Sequence, residues 1–111
     1  MSLDVSLYIE VEGEKPEEVY SANITHNLNK MADKALIYEA CWHPYELNIK
    51  TAGDLIPLLE QGIEILSSDP EYYKQFNAPN GWGMYKHFVP WLHRYLEACT
   101  KYPDAKIYTS T

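Results

Sequence analysis

Apolar residues take every second place at the start of the chain. Leu3, Val5, Leu7, Ile9 and Val11 alternate with Asp4, Ser6, Tyr8 and Glu10. A period of two predicts a strand over residues 3–11 with one face in the core. Glu12-Gly13-Glu14-Lys15-Pro16 has turn composition, and residues 18–22 return as a shorter strand, closing a hairpin. The period then changes. Ile24, Leu28, Met31, Ala35, Tyr38 and Trp42 recur at intervals of four and three, one apolar stripe of a helix over residues 23–42. Asn23 is its expected N-cap, with Thr25 as the alternative. Asn23, Asn27, Lys30 and Lys34 form a polar row beside the stripe. His43-Pro44 ends it, because the residue before proline is pushed out of helical space.

Residues 47–53 read as loop. Leu55, Leu58, Leu59, Gly62, Ile63 and Leu66 share one face of a second helix, capped by Asp54 or Thr51 and running through Ser67. Pro57 sits harmlessly in its first turn. Gly62 interrupts the apolar stripe, which predicts that another backbone packs close there. Asp69-Pro70 starts a short helix to Phe76. Residues 77–83, Asn-Ala-Pro-Asn-Gly-Trp-Gly, form a loop of turn residues around one tryptophan. Tyr85, Phe88, Val89, Leu92, Tyr95, Leu96 and Cys99 stripe a last helix over residues 84–102, with Pro90 on the opposite face. Residues 105–109 alternate as a closing strand. The three long helices give the order ββαααβ, the short third helix lying between the last two, and define an α+β domain over residues 1–111, a three-stranded antiparallel sheet with helices packed on one face.

A site follows if the closing strand pairs with the free edge of the first. The first helix then leaves the sheet at the end where the last helix begins, so residues 23–30 meet residues 77–83. Two helix starts at one place would join unpaired N–H groups and positive dipole ends, an environment suited to an anion. If the closing strand paired with the second strand instead, this meeting would not occur.

Composition narrows the partners. At 111 residues and 46% apolar, the chain can bury roughly two-thirds of its unfolded surface. Net charge is −7, and the largest basic cluster is Lys86-His87 with His93-Arg94. That argues against a nucleic-acid backbone as partner. No apolar run approaches the ~20 residues of a membrane span, and the N-terminus has no signal-peptide pattern. Cys41 and Cys99 show no disulfide-framework spacing, which fits a reducing cytoplasm. Ten of the aromatic residues are tyrosine, a side chain that serves core edges and recognition surfaces alike.

Candidate ligand-binding residues are therefore Asn23, His26, Asn27 and Lys30, joined by Asn80, Trp82 and Tyr85 from the loop and the last helix. The amides act as forked donors and Lys30 supplies charge. The structural alternative has Asn23 capping, Asn27 bonding loop backbone, Lys30 solvated and Trp82 plugging the core. Cys41-x-His43 lacks a second ligand pair for a metal, Cys99 lies on an apolar stripe, and no carboxylate pair suits acid–base work. Neither metal, cofactor nor catalytic residue is expected. Three functions fit: a non-catalytic binding module for a small anion, a host-protein inhibitor using an acidic, tyrosine-rich surface, and a small enzyme on nucleotide or phosphate substrates with a base near His26.

Several segments carry a resemblance. They are Leu3-Asp4-Val5, Asn23-Ile24-Thr25-His26-Asn27-Leu28 with Lys30-Met31-Ala32, Trp42-x-Pro44 and Ala52-Gly53-Asp54-Leu55. Asn80-Gly81-Trp82-Gly83 with Tyr85, and Tyr95-Leu96-Glu97-Ala98-Cys99, complete the set. In these the chain resembles a family of small uncharacterised proteins of bacteria, phages and prophages. Asn29 stands where the resemblance leads one to expect glycine, and Pro90 interrupts a helix expected to be proline-free. The resemblance implies a mobile-element setting and carries no activity.

Overall fold

The computed structural model describes residues 2–111. Its three strands are β1 (Ser2–Ile9), β2 (Glu17–Thr25) and β3 (Lys106–Ser110), in the order β2-β1-β3 with both pairings antiparallel. The expected edge pairing of the closing strand holds. Leu3, Val5 and Leu7 lie opposite Ile24, Ala22 and Tyr20 on one side, and Val5 and Leu7 lie opposite Thr109 and Ile107 on the other. These positions share the core face. Asp4, Ser6 and Tyr8 share the outer face, where Tyr8 and Tyr108 meet edge to face at 5.2 Å.

The helical layer is α1 (Asn29–Lys34), α2 (Tyr38–Trp42), α3 (Ala52–Ser68), α4 (Pro70–Lys74) and α5 (Tyr85–Lys101). The last four expected elements appear with small changes of boundary. Thr51, not Asp54, is the N-cap of α3. The two form a capping box in which the Asp54 carboxylate accepts the Thr51 N–H at 3.4 Å. Asp69 caps α4 by accepting the Tyr72 N–H at 3.2 Å.

The expected single helix over residues 23–42 is replaced by four pieces. Residues 23–25 belong to β2, His26–Leu28 is a turn of 3₁₀ helix, and α1 and α2 follow. Asn23 is therefore not a cap; it pairs with Asp4 across the sheet. Thr25 is the cap, its hydroxyl accepting the Asn27 N–H at 3.3 Å.

The break between α1 and α2 has an identifiable geometry. Leu36 adopts φ +60°, its N–H donating to the Asp33 carbonyl at 3.1 Å, while the Ile37 N–H donates to the Ala32 carbonyl at 2.9 Å. This is a Schellman ending, with leucine where glycine is usual. Leu36 is left 76% exposed and Ile37 is fully buried. A Cβ at Gly62 would collide with Ile37 Cδ1 and stand 3.0 Å from its Cβ. Gly62 thus makes room for a side chain, not for the backbone that its sequence position suggested.

Among the described residues, two buried polar atoms have no hydrogen-bond partner: Trp91 Nε1 and the Tyr95 hydroxyl. Tyr95 stacks on Tyr20 at 6.0 Å. Burial, with Cys41 and Cys99 nearby, pushes its hydroxyl well above the usual phenol range. An unpaired buried hydroxyl costs about 1–3 kcal/mol. Tyr95→Phe is therefore expected to raise stability by about 1 kcal/mol, read as a higher thermal midpoint. A lower midpoint would show that the hydroxyl has a partner in solution.

Candidate functional site

The expected meeting of residues 23–30 with residues 77–83 is present. The Asn27 side chain donates from Nδ2 to the Trp82 carbonyl at 2.8 Å, across 55 positions of sequence. The loop behind it is closed by its own bonds. Gly81 N–H donates to the Ala78 carbonyl at 3.1 Å and Ala78 N–H to the Gly83 carbonyl at 3.0 Å. The Asn80 carboxamide accepts the Trp82 N–H at 3.0 Å, and Asn77 accepts the Tyr85 N–H at 2.7 Å. Gly81 and Gly83 hold φ of +79° and +115°, which only glycine adopts without strain.

This tether divides the expected site into two clefts that share Asn27 and Asn80. The larger, about 670 Å³, runs along the end of β2 and includes Asn23, Thr25, Trp82, Gly83 and His87. The second, about 530 Å³, includes His26, Asn29, Lys30, Phe76 and Asn77. Trp82 is 72% exposed, so it is a surface aromatic and not a core plug. Tyr85 lines neither cleft. Its hydroxyl donates to the Leu66 carbonyl at 2.9 Å and joins α5 to the end of α3.

His26 is held through its Nδ1 nitrogen. Trp42 donates its indole N–H to Nδ1 at 3.1 Å, so Nδ1 keeps its lone pair and the ring proton sits on Nε2. The Asn29 amide nitrogen Nδ2 stands 3.4 Å from Nε2. His26 is thus a strut between the opening segment and Trp42.

The helix starts do not supply the converging dipoles that the sequence suggested. The opening segment starts with one 3₁₀ turn and a six-residue helix, too short for a developed macrodipole. At the start of α5, the Tyr85 N–H is already taken by Asn77. The polarity of the second cleft has another origin. Asn77 and Asn80 spend their side-chain oxygens on backbone N–H groups, which leaves their NH₂ ends free, while Asn27 spends its NH₂ on Trp82 and leaves its oxygen free. Lys30 adds an ammonium, its Nζ 5.6 Å over the Phe76 ring. No carboxylate lines this cleft.

The cysteines lie apart from both clefts. Cys41 and Cys99 are free and buried, and burial pushes the Cys41 thiol up, and that of Cys99 up to about 12. Both are therefore neutral, unreactive thiols. Among the described residues no cluster of three His, Cys, Asp or Glu side chains is placed to hold a metal ion, and no helix is long and apolar enough to cross a membrane.

No protein-family model matches the chain, nor does any curated protein sequence or any solved structure. Class is therefore defined by architecture alone: an α+β domain with a three-stranded antiparallel sheet.

Proposed function

We propose that this protein is a non-catalytic binding module whose ligand is a small anion held in the cleft at Lys30. The carrying observation is two carboxamide donors and an ammonium at one cleft. Asn77 and Asn80 turn donors outward because their oxygens cap backbone N–H groups, and Lys30 supplies the positive charge. Among the described residues no carboxylate lines this cleft, and the acids Asp33 and Glu39 line the adjoining one that shares Asn29 and Lys30. Such a donor array suits a carboxylate or phosphate. The resemblance to small proteins of bacteria and phages adds a setting to this reading and no chemistry. A cytoplasmic location belongs to the same proposal and is supported by the two free, buried thiols.

Inorganic phosphate is the first probe, titrated while the side-chain amide resonances of Asn77 and Asn80 are followed by NMR. Saturable shifts are expected. Lys30→Glu is expected to weaken binding at least tenfold. Its melting temperature should stay near that of the wild type, because exposed substitutions away from special features cost within about 0.5 kcal/mol. Absence of saturable shifts, or their persistence in Lys30→Glu, would refute the reading. Asn27→Ala is a poor probe, since its amide holds the Trp82 carbonyl and its loss would disturb the loop directly.

A further inference from the structure

The geometry points to a second, independent binding surface: a groove between the free edge of β2 and α5 that takes an extended acidic peptide by strand addition. β2 is an edge strand nine residues long. Half of its N–H and C=O groups face away from β1, and among the described residues no other segment pairs with them. Edge strands are ordinarily guarded by proline, charge or bulges. Here all three guards lie at one end: Pro16, Glu17-Glu18, and a register shift opposite Leu7 and Tyr8. Residues 20–25 carry none of them.

The groove has a wall as well as an edge. α5 runs antiparallel to β2, so that His87 stands beside Ile24 and Thr25 at one end, while Arg94 and Lys101 stand beside Val19 and Tyr20 at the other. Clefts of about 670 and 510 Å³ open along this line. Residues 87, 94 and 101 recur every seventh position, which on a helix places them on one face. They span about 21 Å, the length of about six strand residues. None of the three is in a salt bridge among the described residues. Against a net charge of −7, this is a basic row with Glu97 beside it and Glu17-Glu18 at the strand end next to Val19.

An added strand points alternate side chains toward the helix layer. Carboxylates at every second position would therefore face this row. A second copy of the chain is a poorer occupant. With β2 paired to itself about Ser21, Val19 and Tyr20 lie opposite Asn23 and Ala22, and Arg94 and Lys101 meet no charge.

Selection from a displayed random octapeptide library tests the inference. Enrichment of Asp and Glu at alternate positions is expected. A synthetic peptide of the enriched sequence should slow hydrogen exchange at residues 20–24 at least tenfold. Arg94→Glu with Lys101→Glu should weaken its binding at least tenfold, and Arg94→Gln with Lys101→Gln serves if the reversal does not fold. Lys30→Glu should bind the peptide as the wild type does, which separates this groove from the anion cleft. Absence of acidic enrichment, protection elsewhere, or concentration-dependent dimerisation that itself protects β2 would overturn the inference.

Discussion

Trp42→Ala is expected to destabilise the protein by about 3–5 kcal/mol, the range for removing a large buried aromatic side chain. Trp42 is 1% exposed and joins three separate parts of the chain. It stacks on Tyr38 at 5.1 Å within α2, and its indole N–H donates to His26 at 3.1 Å in the opening turn. Its carbonyl accepts the Thr109 hydroxyl of β3 at 3.5 Å. Truncation removes the packing and leaves His26 Nδ1 without its donor. A domain of this size has about 5–15 kcal/mol in total, so the loss is a large share of it. The midpoint should fall by roughly 15 °C, measured by far-ultraviolet circular dichroism, with an unchanged m-value in urea. Trp42→Phe separates the two contributions, keeping most of the packing and costing about 1–2 kcal/mol for the lost bond. A loss below about 2 kcal/mol in Trp42→Ala would mean that the core closes over the gap.

The same residue marks where sequence reasoning succeeded and where it stopped. Trp42 was visible as a core position because it fits the apolar stripe, and so were Leu28, Met31 and Ala35, all buried. The stripe nevertheless suggested one helix where there are several short pieces. Ile24 satisfies a period of two with Ala22 and Tyr20 as readily as a period of four with Leu28. Cross-strand pairing with Leu3 decided for the strand. At Leu36 neither glycine nor proline signalled a break. The positive φ is tolerated because it turns Ile37 into the space left by Gly62, a gain that depends on α3 and is invisible in the local pattern. The sheet order was open between two pairings of the closing strand, and the one on which the site depended, beside β1, is the one observed. The meeting of Asn27 with Trp82 followed from it. The split into two clefts did not, because it depends on one carboxamide choosing a carbonyl. Of the basic row at 87, 94 and 101, His87 and Arg94 belong to the largest basic cluster of the sequence, while Lys101 lies seven residues beyond it.

Gly83→Ala is expected to cost about 3 kcal/mol and to alter the site as well as the stability. Gly83 holds φ +115°, a region that residues with a Cβ enter only with strain of about 1–3 kcal/mol. It is also crowded. A Cβ there would lie 3.0 Å from Asn27 Cβ, 3.2 Å from Thr25 Cγ2 and 3.4 Å from the Asn27 carbonyl carbon. These are not ends of flexible side chains, so either the loop or the opening turn must move. Movement breaks the Asn27–Trp82 bond and the Thr25 cap together, since both depend on this approach. The expected signature is a lower midpoint with faster hydrogen exchange at Asn27 and Gly81. Gly81→Ala is the control: its φ of +79° brings strain, but a Cβ there meets nothing within 4 Å. It should cost about 1–2 kcal/mol and leave Asn27 protected. Equal losses in the two variants would mean that backbone strain alone sets the cost. A greater loss in Gly83→Ala, with exchange spreading to Asn27, is what close packing of the loop on the opening turn requires.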